Sequence, residues 1–483
     1  MSNLSELLPA GAGAKSATFV ATGTIGNGVT VVLNSNGTVE AVSGGSGSTG
    51  SETVFASATT RYVSSAYDTN ENRVVIAYAD NGNSQYGTAI VGTVSGTSIT
   101  FGTEVVFETA EVQDVSATFD SNANKVVIAY SDAGNSYYGT AIVGTVSGTS
   151  ISFGTPVVFA AIYAVTIAST FDSTSNKIVI GYRDVSNSYY GTAIVGTVSG
   201  TSISFGTAVV FETANSQPIQ LVFDPSSNKI VVVYRDQGNS NYGTAIIGTV
   251  SGTSITFGTV TVFVSANATY ISNPIIDTDN NKVIVFYQDG GNSNYGTAIV
   301  GTVSGTSISF GTAAVFNTGS TALWTGAAYN PTIQKLVIAY RDDGDSNIGK
   351  YNTGTVSGTD IVFLGEVAFN SGRADNISLV YDPDSTNFVL SFEDNANSSY
   401  GTSIVFTPST TNLTATNFLG ISDEAISSAA SGSVIVQGGV NSKVTSLTIG
   451  TDYYVQANGT LSTTTSTVPA GRALSTTSIL LEG

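Results

Sequence analysis

Short apolar runs separated by glycine and asparagine turns fill this chain, and one order of runs keeps returning. Its clearest form is VSATFD (115–120), KVVIAY (125–130), TAIVGTV (140–146) and SISFGTPVVF (150–159). Apolar–polar alternation, enrichment in Val, Ile and Thr, and glycine-marked turns make each run a β-strand. Turns of Asp, Ser and Asn, the loop SDAGNSYYG, and the tight Ser147-Gly148 turn join them in order. No segment shows a helical period.

The wording behind this order is Tyr-Gly-Thr-Ala-Ile-Val-Gly-Thr-Val-Ser-Gly-Thr-Ser-Ile-Ser-Phe-Gly-Thr at 138–155. Copies begin at Tyr86, Tyr190, Tyr242 and Tyr295, a worn one begins at Ile348 and a truncated one at Tyr400, spaced by 52 or 53 residues. A fixed period of this length means one supersecondary unit stacked on itself. Four antiparallel strands per unit and seven units predict an all-β fold, a seven-bladed β-propeller over residues 49–411. Ring closure hides the edges an open array would expose. The ends support closure: Glu52-Thr53-Val54-Phe55 matches Glu104-Val105-Val106-Phe107, and the seventh unit breaks down after Val405-Phe406. The N-terminal piece is therefore expected to supply the outer strand of the last blade. The alternative is an open β-solenoid, whose rungs are usually shorter.

Residues 1–48 read as an N-terminal β segment, with a hairpin turning at Asn36-Gly37, the pair favoured where both central residues need positive φ. GGSGSTGS (44–51) is a flexible joint by composition. Residues 412–483 read as a separate β domain. Its Tyr454-Val455-Gln456-Ala457-Asn458-Gly459-Thr460-Leu461 echoes Val32-Leu33-Asn34-Ser35-Asn36-Gly37-Thr38-Val39. A closed ring brings its ends together, so the two flanks are expected to pack as one small domain into which the propeller is inserted.

Composition narrows the chemistry. Of 483 residues, 41% are apolar and only 10% charged, with a net charge of −19. That sign argues against nucleic acid, whose phosphates need Lys and Arg, and against an anionic membrane surface. Histidine and cysteine are absent, which removes the commonest general base, the commonest zinc ligand and any disulfide framework. The segment MSNLSELLPAGAG lacks the basic and long apolar regions of a secretory signal, and no stretch has the length of a membrane span. No pair of carboxylates stands out from the repeat as glycosidase machinery, so the chain is read as a non-enzyme.

The flanks carry a family resemblance. MSNLSELLPAGAG followed by ATGTIGNGVTVVLNSNGTVEAV resembles the start of virion structural proteins of tailed phages of marine bacteria. NFLGISDEAISSAASGSVIVQGGV and the stretch from GTDYYVQANGTLSTTT to the end resemble the C-terminal module of cyanophage tail-fibre-like proteins. Together these cover about 120 residues. The resemblance implies a virion protein, assembled in the host cytoplasm in multiple copies per particle, and carries no catalytic residues. Its expected partners are other virion proteins and a host-surface glycan. A capsid or neck decoration protein with a purely structural role, and a bacterial surface lectin, are the alternatives.

Two repeated features are candidate sites. The motif Tyr-x-Asp-x-Gly-Asn-Ser-x-Tyr-Gly places Asp80, Asp132, Asp184, Asp236, Asp289, Asp342 and Asp394 between second and third strands. Such oxygens could hold calcium, but the spacing matches no calcium loop, and short Asp turns usually bond their own amides; no cofactor is expected. Arg183, Arg235 and Arg341 precede three of these Asp residues and could grip an anionic sugar or simply pair with neighbours. The second feature is where the copies disagree. The stretches joining one unit's outer strand to the next unit's inner strand change almost completely, and read as loops on one propeller face. They contain Arg61, Tyr62, Gln113, Tyr163, Gln217, Tyr270, Trp324 and Arg373. Aromatics stack on sugars and partner surfaces, and loops on a rigid scaffold carry specificity. The competing reading is drift, with the aromatics packed between blades.

Overall fold

A computed structural model describes residues 15–34, 36–45, 47–414 and 416–482, apart from the side chains of 319–324. The segment MSNLSELLPAGAG lies outside the described residues, as does the side chain of Trp324. The chain forms two compact units, one of residues 48–407 and one combining the described parts of 1–47 and 408–483.

The larger unit is a β-propeller of antiparallel sheets. Its strands pair in one closed circuit that runs from Ser48–Thr49 to Tyr400–Thr407 and back. Among the described residues the pairings group into seven successive sheets on one plan. In one of them, the second half of Val105–Asp120 pairs with Lys125–Asp132, which pairs with Tyr138–Ser147. Ser150–Phe153 and the start of Val157–Asp172 together make the outer strand. Each sheet is covered on both faces by its neighbours, so the second strand is buried along its length after Lys125 and reads as an unbroken apolar run. The outer piece Ser150–Phe153 keeps the alternating pattern of a half-exposed strand.

A repeated aromatic trio holds sheet to sheet. Phe107, on the outer strand of one sheet, packs against Tyr130 and Phe153 of the next, with ring centroids 5.3 and 5.7 Å apart. Phe159, Tyr182 and Phe205 repeat the contact, as do Phe211, Tyr234 and Phe257. Tilted ring pairs at this spacing add about 0.5–1.5 kcal/mol each beyond their burial. The trio also accounts for the glycine of Tyr-Gly-Thr. A Cβ on Gly139 would stand 2.5 Å from the Phe159 ring.

The ring closes with the N-terminal strand. Thr53, Val54, Ala56 and Thr59 pair with Ser403, Thr402, Gly401 and Tyr400. The Gly50 amide donates to the Val405 carbonyl at 2.9 Å, as Gly102 does to Val91. Phe55 completes the trio with Tyr78 and Phe101 across the junction.

In the smaller unit, the two ends of the chain interleave in one five-stranded sheet. Ser16–Val20 pairs with Ser431–Val436, and Thr30–Leu33 pairs with Phe418–Ser422. A second sheet contains Asp452–Val455, Pro469–Ser475 and Ser478–Leu481. Val32, Ile421 and Ile435 of the first sheet share a core with Tyr453, Val455 and Leu481 of the second. The echoed turns are built alike: Asn36 Oδ1 accepts from the Thr38 amide and Asn458 Oδ1 from the Thr460 amide, both at 3.0 Å.

Candidate functional site

The variable stretches correct one expectation. They are not loops but the middles of long strands such as Thr53–Asp68, Val105–Asp120 and Val157–Asp172. Each strand leaves one sheet as its outer strand and enters the next as its inner one. The passage is made by a register shift, for example between Arg61 and Ser64. Within these shifts Tyr62, Asp114, Thr166 and Asn376 have φ between 50° and 52°, and Tyr270, at the equivalent position, has φ 47°. The extra residue bends the strand, as β-bulges do. Only one copy leaves strand geometry, between Thr261–Thr269 and Ile275–Asp277. Pro274 lies there and has no amide to give a ladder.

In six of the units the bend places one residue at the centre of the ring. Tyr62, Asp114, Thr166, Pro218, Tyr270 and Asn376 line a single central cavity of about 370 Å³. Below them its wall is hydroxyl-rich, with Ser65, Ser116, Ser169, Ser272 and Ser378. Those hydroxyls also tie neighbouring sheets together. Ser116 Oγ lies 2.9 Å from Ser169 Oγ, and Ser378 Oγ accepts from the Ser65 amide at 2.9 Å. A second cavity of about 360 Å³ opens between the first and last sheets. It gathers Arg61, Tyr62 and Arg373 with Asp375, Asn376, Glu393 and Asn395. Arg373 donates to Asp375 at 2.6 Å, and Asn376 Nδ2 donates to Glu393 at 2.8 Å.

A third group lies on the same connecting stretches. Tyr163 stacks obliquely on Tyr137, ring centroids 4.9 Å apart. Arg183 sits over the Tyr189 ring at 4.9 Å and donates to Asn215 at 3.3 Å and to Gln217. The structure thus unites Tyr62 with Tyr270, Arg61 and Tyr62 with Arg373, and Gln217 with Arg183. Gln113 joins neither cavity; its amide donates to Glu111 at 2.8 Å. Tyr163, Tyr189 and Tyr270 are 38, 41 and 47% exposed, so these rings are surface rather than core between sheets.

Of the column that faces these stretches, the sequence pointed only to Arg183, Arg235 and Arg341. Ala79, Ser131, Arg183, Arg235, Gln288, Arg341 and Glu393 each stand just before the turn Asp and across the ladder from the variable strand. Variation in this column was visible in the aligned copies. The arginines in it behave differently. Arg341 is bonded to Asp343 at 2.8 Å and to Asp375, so for Arg341 the structural reading holds. Arg183 and Arg235 make no ion pair among the described residues.

The repeated Asp residues cap short turns. Asp80, Asp289 and Asp394 accept from the amides of Gly82, Gly291 and Ala396 at 2.8, 2.8 and 3.0 Å. Asp236 accepts two amides, at 2.9 and 3.1 Å. Asp184 and Asp342 each accept one, at 3.0 Å. Asp132 is the exception, with no capping bond. The preceding residue pattern leaves Ser84 and its equivalents left-handed, with φ near 55°. Among the described residues, no group of three or more acidic side chains is placed to hold a metal ion.

Burial raises several carboxyls of the propeller above their ordinary range. For Glu108, Asp132 and Glu393 desolvation is the main cause, and for Asp114 desolvation outweighs the Thr166 amide and the Arg183 charge. A carboxyl raised in the folded state binds more protons folded than unfolded, so its ionisation costs stability as pH rises through the raised value. Relief of the −19 net charge acts in the same direction. The propeller's melting temperature is therefore expected to be higher near about pH 5 than near about pH 7.5, above the ordinary carboxylate range of about 4. Calorimetry at both values checks this; a midpoint that falls on acidification contradicts it.

No family model matches the chain, and no curated protein sequence matches it. Among solved structures, the BP39L lectin from Burkholderia pseudomallei aligns over 74% of this chain and 98% of its own, with a TM-score of 0.54 and 11% identity. A leech intramolecular trans-sialidase aligns over 75% of this chain and 70% of its own, with a TM-score of 0.45 and 9% identity. The intramolecular trans-sialidase from Ruminococcus gnavus aligns over 74% and 97%, with a TM-score of 0.43 and 10% identity. At these identities the first likeness speaks for the propeller fold alone, and the weaker two carry no further argument.

Proposed function

We propose that this chain is a glycan-binding β-propeller carried by a phage virion, as a tail-fibre or adhesin-type protein that binds without turning its ligand over. One observation carries the binding reading. The residues that differ between otherwise interchangeable units converge on one face, as exposed tyrosines beside two cavities and, in Arg183 and Arg235, guanidiniums with no ion pair among the described residues. The hairpins at the other ends of the strands are nearly uniform: Asp68, Asp120, Asp172, Asp224, Asp277 and Asp382 each accept the amide two residues on. A face made of repeated turns has little with which to discriminate. A lectin of the same architecture is consistent with glycan as the ligand. The virion part of the proposal is supported by the resemblance of the two flanks, which fold together as one unit.

The test uses the full chain on an array of immobilised glycans. Tyr163→Ala with Tyr270→Ala is expected to weaken the strongest signal by tenfold or more, since a truncated hot-spot aromatic costs on the order of 2 kcal/mol. Both rings are exposed, so the melting temperature is expected to change little. Parallel losses of folding and binding, or no binding to any glycan, would overturn the reading. Locating the chain by cross-linking in purified particles tests the virion part: a tail-tip position supports adhesion, while a capsid lattice supports decoration.

A further inference from the structure

Arg183 and Arg235 occupy the same column of adjacent sheets, each one residue before the turn Asp. The Nε atoms of both are buried and have no hydrogen-bond partner. Among the described residues neither guanidinium has an ion pair. Arg183 is oriented by neutral acceptors, Asn215 and Gln217, and by the Tyr189 ring. Arg235 makes no hydrogen bond to the protein among the described residues. The chain has 34 acidic and only 15 basic side chains, and Arg341, in the same column, has recruited two carboxylates. Asp114 is the carboxyl whose charge reaches Arg183, but its burial opposes ionisation and it makes no ion pair with the guanidinium. In so acidic a chain, two neighbouring guanidiniums with no carboxylate in contact are open to a negative charge from outside. Partial burial penalises both charges, and the Arg235 charge adds to the penalty on Arg183. An arriving anion would relieve that penalty, and a guanidinium offers parallel donors matched to a planar or tetrahedral oxyanion. Neutral side chains on Arg183 fix its direction without neutralising it, which is what a preorganised receptor requires.

The surroundings fit a sugar better than a free ion. Tyr270 is close enough to Arg235 to act on its charge, and Tyr163 to act on that of Arg183. Both tyrosines present exposed ring area. We propose that Arg183 and Arg235 form a receptor for the anionic group of an acidic saccharide, a carboxylate or a sulfate ester, with Tyr163 and Tyr270 as the platforms for its rings. This inference rests on the glycan-binding reading and adds the ligand's charge to it.

Binding of the full chain to alginate, dextran sulfate and neutral dextran, measured by biolayer interferometry, tests it. Alginate and dextran sulfate separate carboxylate from sulfate as the source of the charge. Arg183→Gln with Arg235→Gln is expected to weaken binding to at least one acidic polymer by about tenfold or more, and added salt is expected to weaken the parent. Arg73→Gln, whose guanidinium is held by the Gly148 and Asn72 carbonyls at the far hairpins, is expected to leave binding unchanged. Should the double variant unfold, Arg235→Gln alone serves, because its side chain bonds nothing that folding needs; a loss of threefold or more then supports the site. Unchanged acidic binding in the folded Arg variants overturns the inference. So does binding confined to neutral polymers that Tyr163→Ala with Tyr270→Ala abolishes, an outcome that leaves the glycan reading standing. Absence of binding to every polymer and every array glycan sinks both.

Discussion

Removing residues 1–56 is expected to lower the melting temperature of the propeller by about 10 °C or more. The segment supplies the strand that pairs with Tyr400–Thr407, and Phe55, only 5% exposed, is its share of the aromatic trio at the junction. Loss of one buried Phe costs about 3–5 kcal/mol, and each kcal/mol moves the midpoint of a domain this large by a few degrees. The ladder partners of Thr402 and Ser403 are lost as well, leaving an open edge. Phe55→Ala in the intact chain separates the two effects, since it removes the ring and keeps the strand. It is expected to produce a smaller drop and no new association between molecules. An unchanged midpoint in the truncated chain would show that the ring closes without this strand.

The second large effect concerns Gly139 and Phe159. A Cβ on Gly139 meets the Phe159 ring at 2.5 Å and the Ala164 Cβ at 3.1 Å. Phe159 is wedged against Tyr182 and Phe205, so it has nowhere to retreat. Gly139→Ala is expected to cost about 1–3 kcal/mol by overpacking, and Phe159→Ala about 3–5 kcal/mol by leaving a cavity. The two changes touch the same space, so the double variant is expected to lose less than their sum, the excess methyl filling part of the vacated volume. Denaturant unfolding of the three variants measures the coupling. Strict additivity would mean that the glycine serves backbone conformation rather than the ring.

These two effects separate what was legible in the sequence from what was not. The period, the strands and the closing segment could be read because the same contacts are written in most units: the glycine of Tyr-Gly-Thr leaves room for a neighbouring Phe ring, and that of Phe-Gly-Thr for the backbone of the next hairpin. The bends were invisible. Tyr62, Asp114, Thr166, Tyr270 and Asn376 share a backbone conformation but no chemistry, because closure of the ring imposes the bend and no local propensity does. Variable stretches therefore looked like loops, although most are strand. The fate of each arginine was hidden for a related reason. Asp375, which binds Arg341, sits 34 residues away on the next inner strand, and its counterparts beside Arg183 and Arg235 are Gln217 and Thr269. Only the packing of one sheet on the next shows that these positions meet. The candidate aromatics could be chosen from their variability, but which of them meet could not, as Gln113 shows by turning to Glu111.

The most direct test of the account is a crystal structure of the intact chain soaked with the tightest-binding glycan from the array. The sugar is expected on the variable face, with a ring against Tyr163, Tyr270 or Tyr62 and any acidic group on Arg183 or Arg235. A sugar bound at the uniform hairpins that follow Asp68, Asp120 and their equivalents, or in the unit formed by the two chain ends, would contradict it.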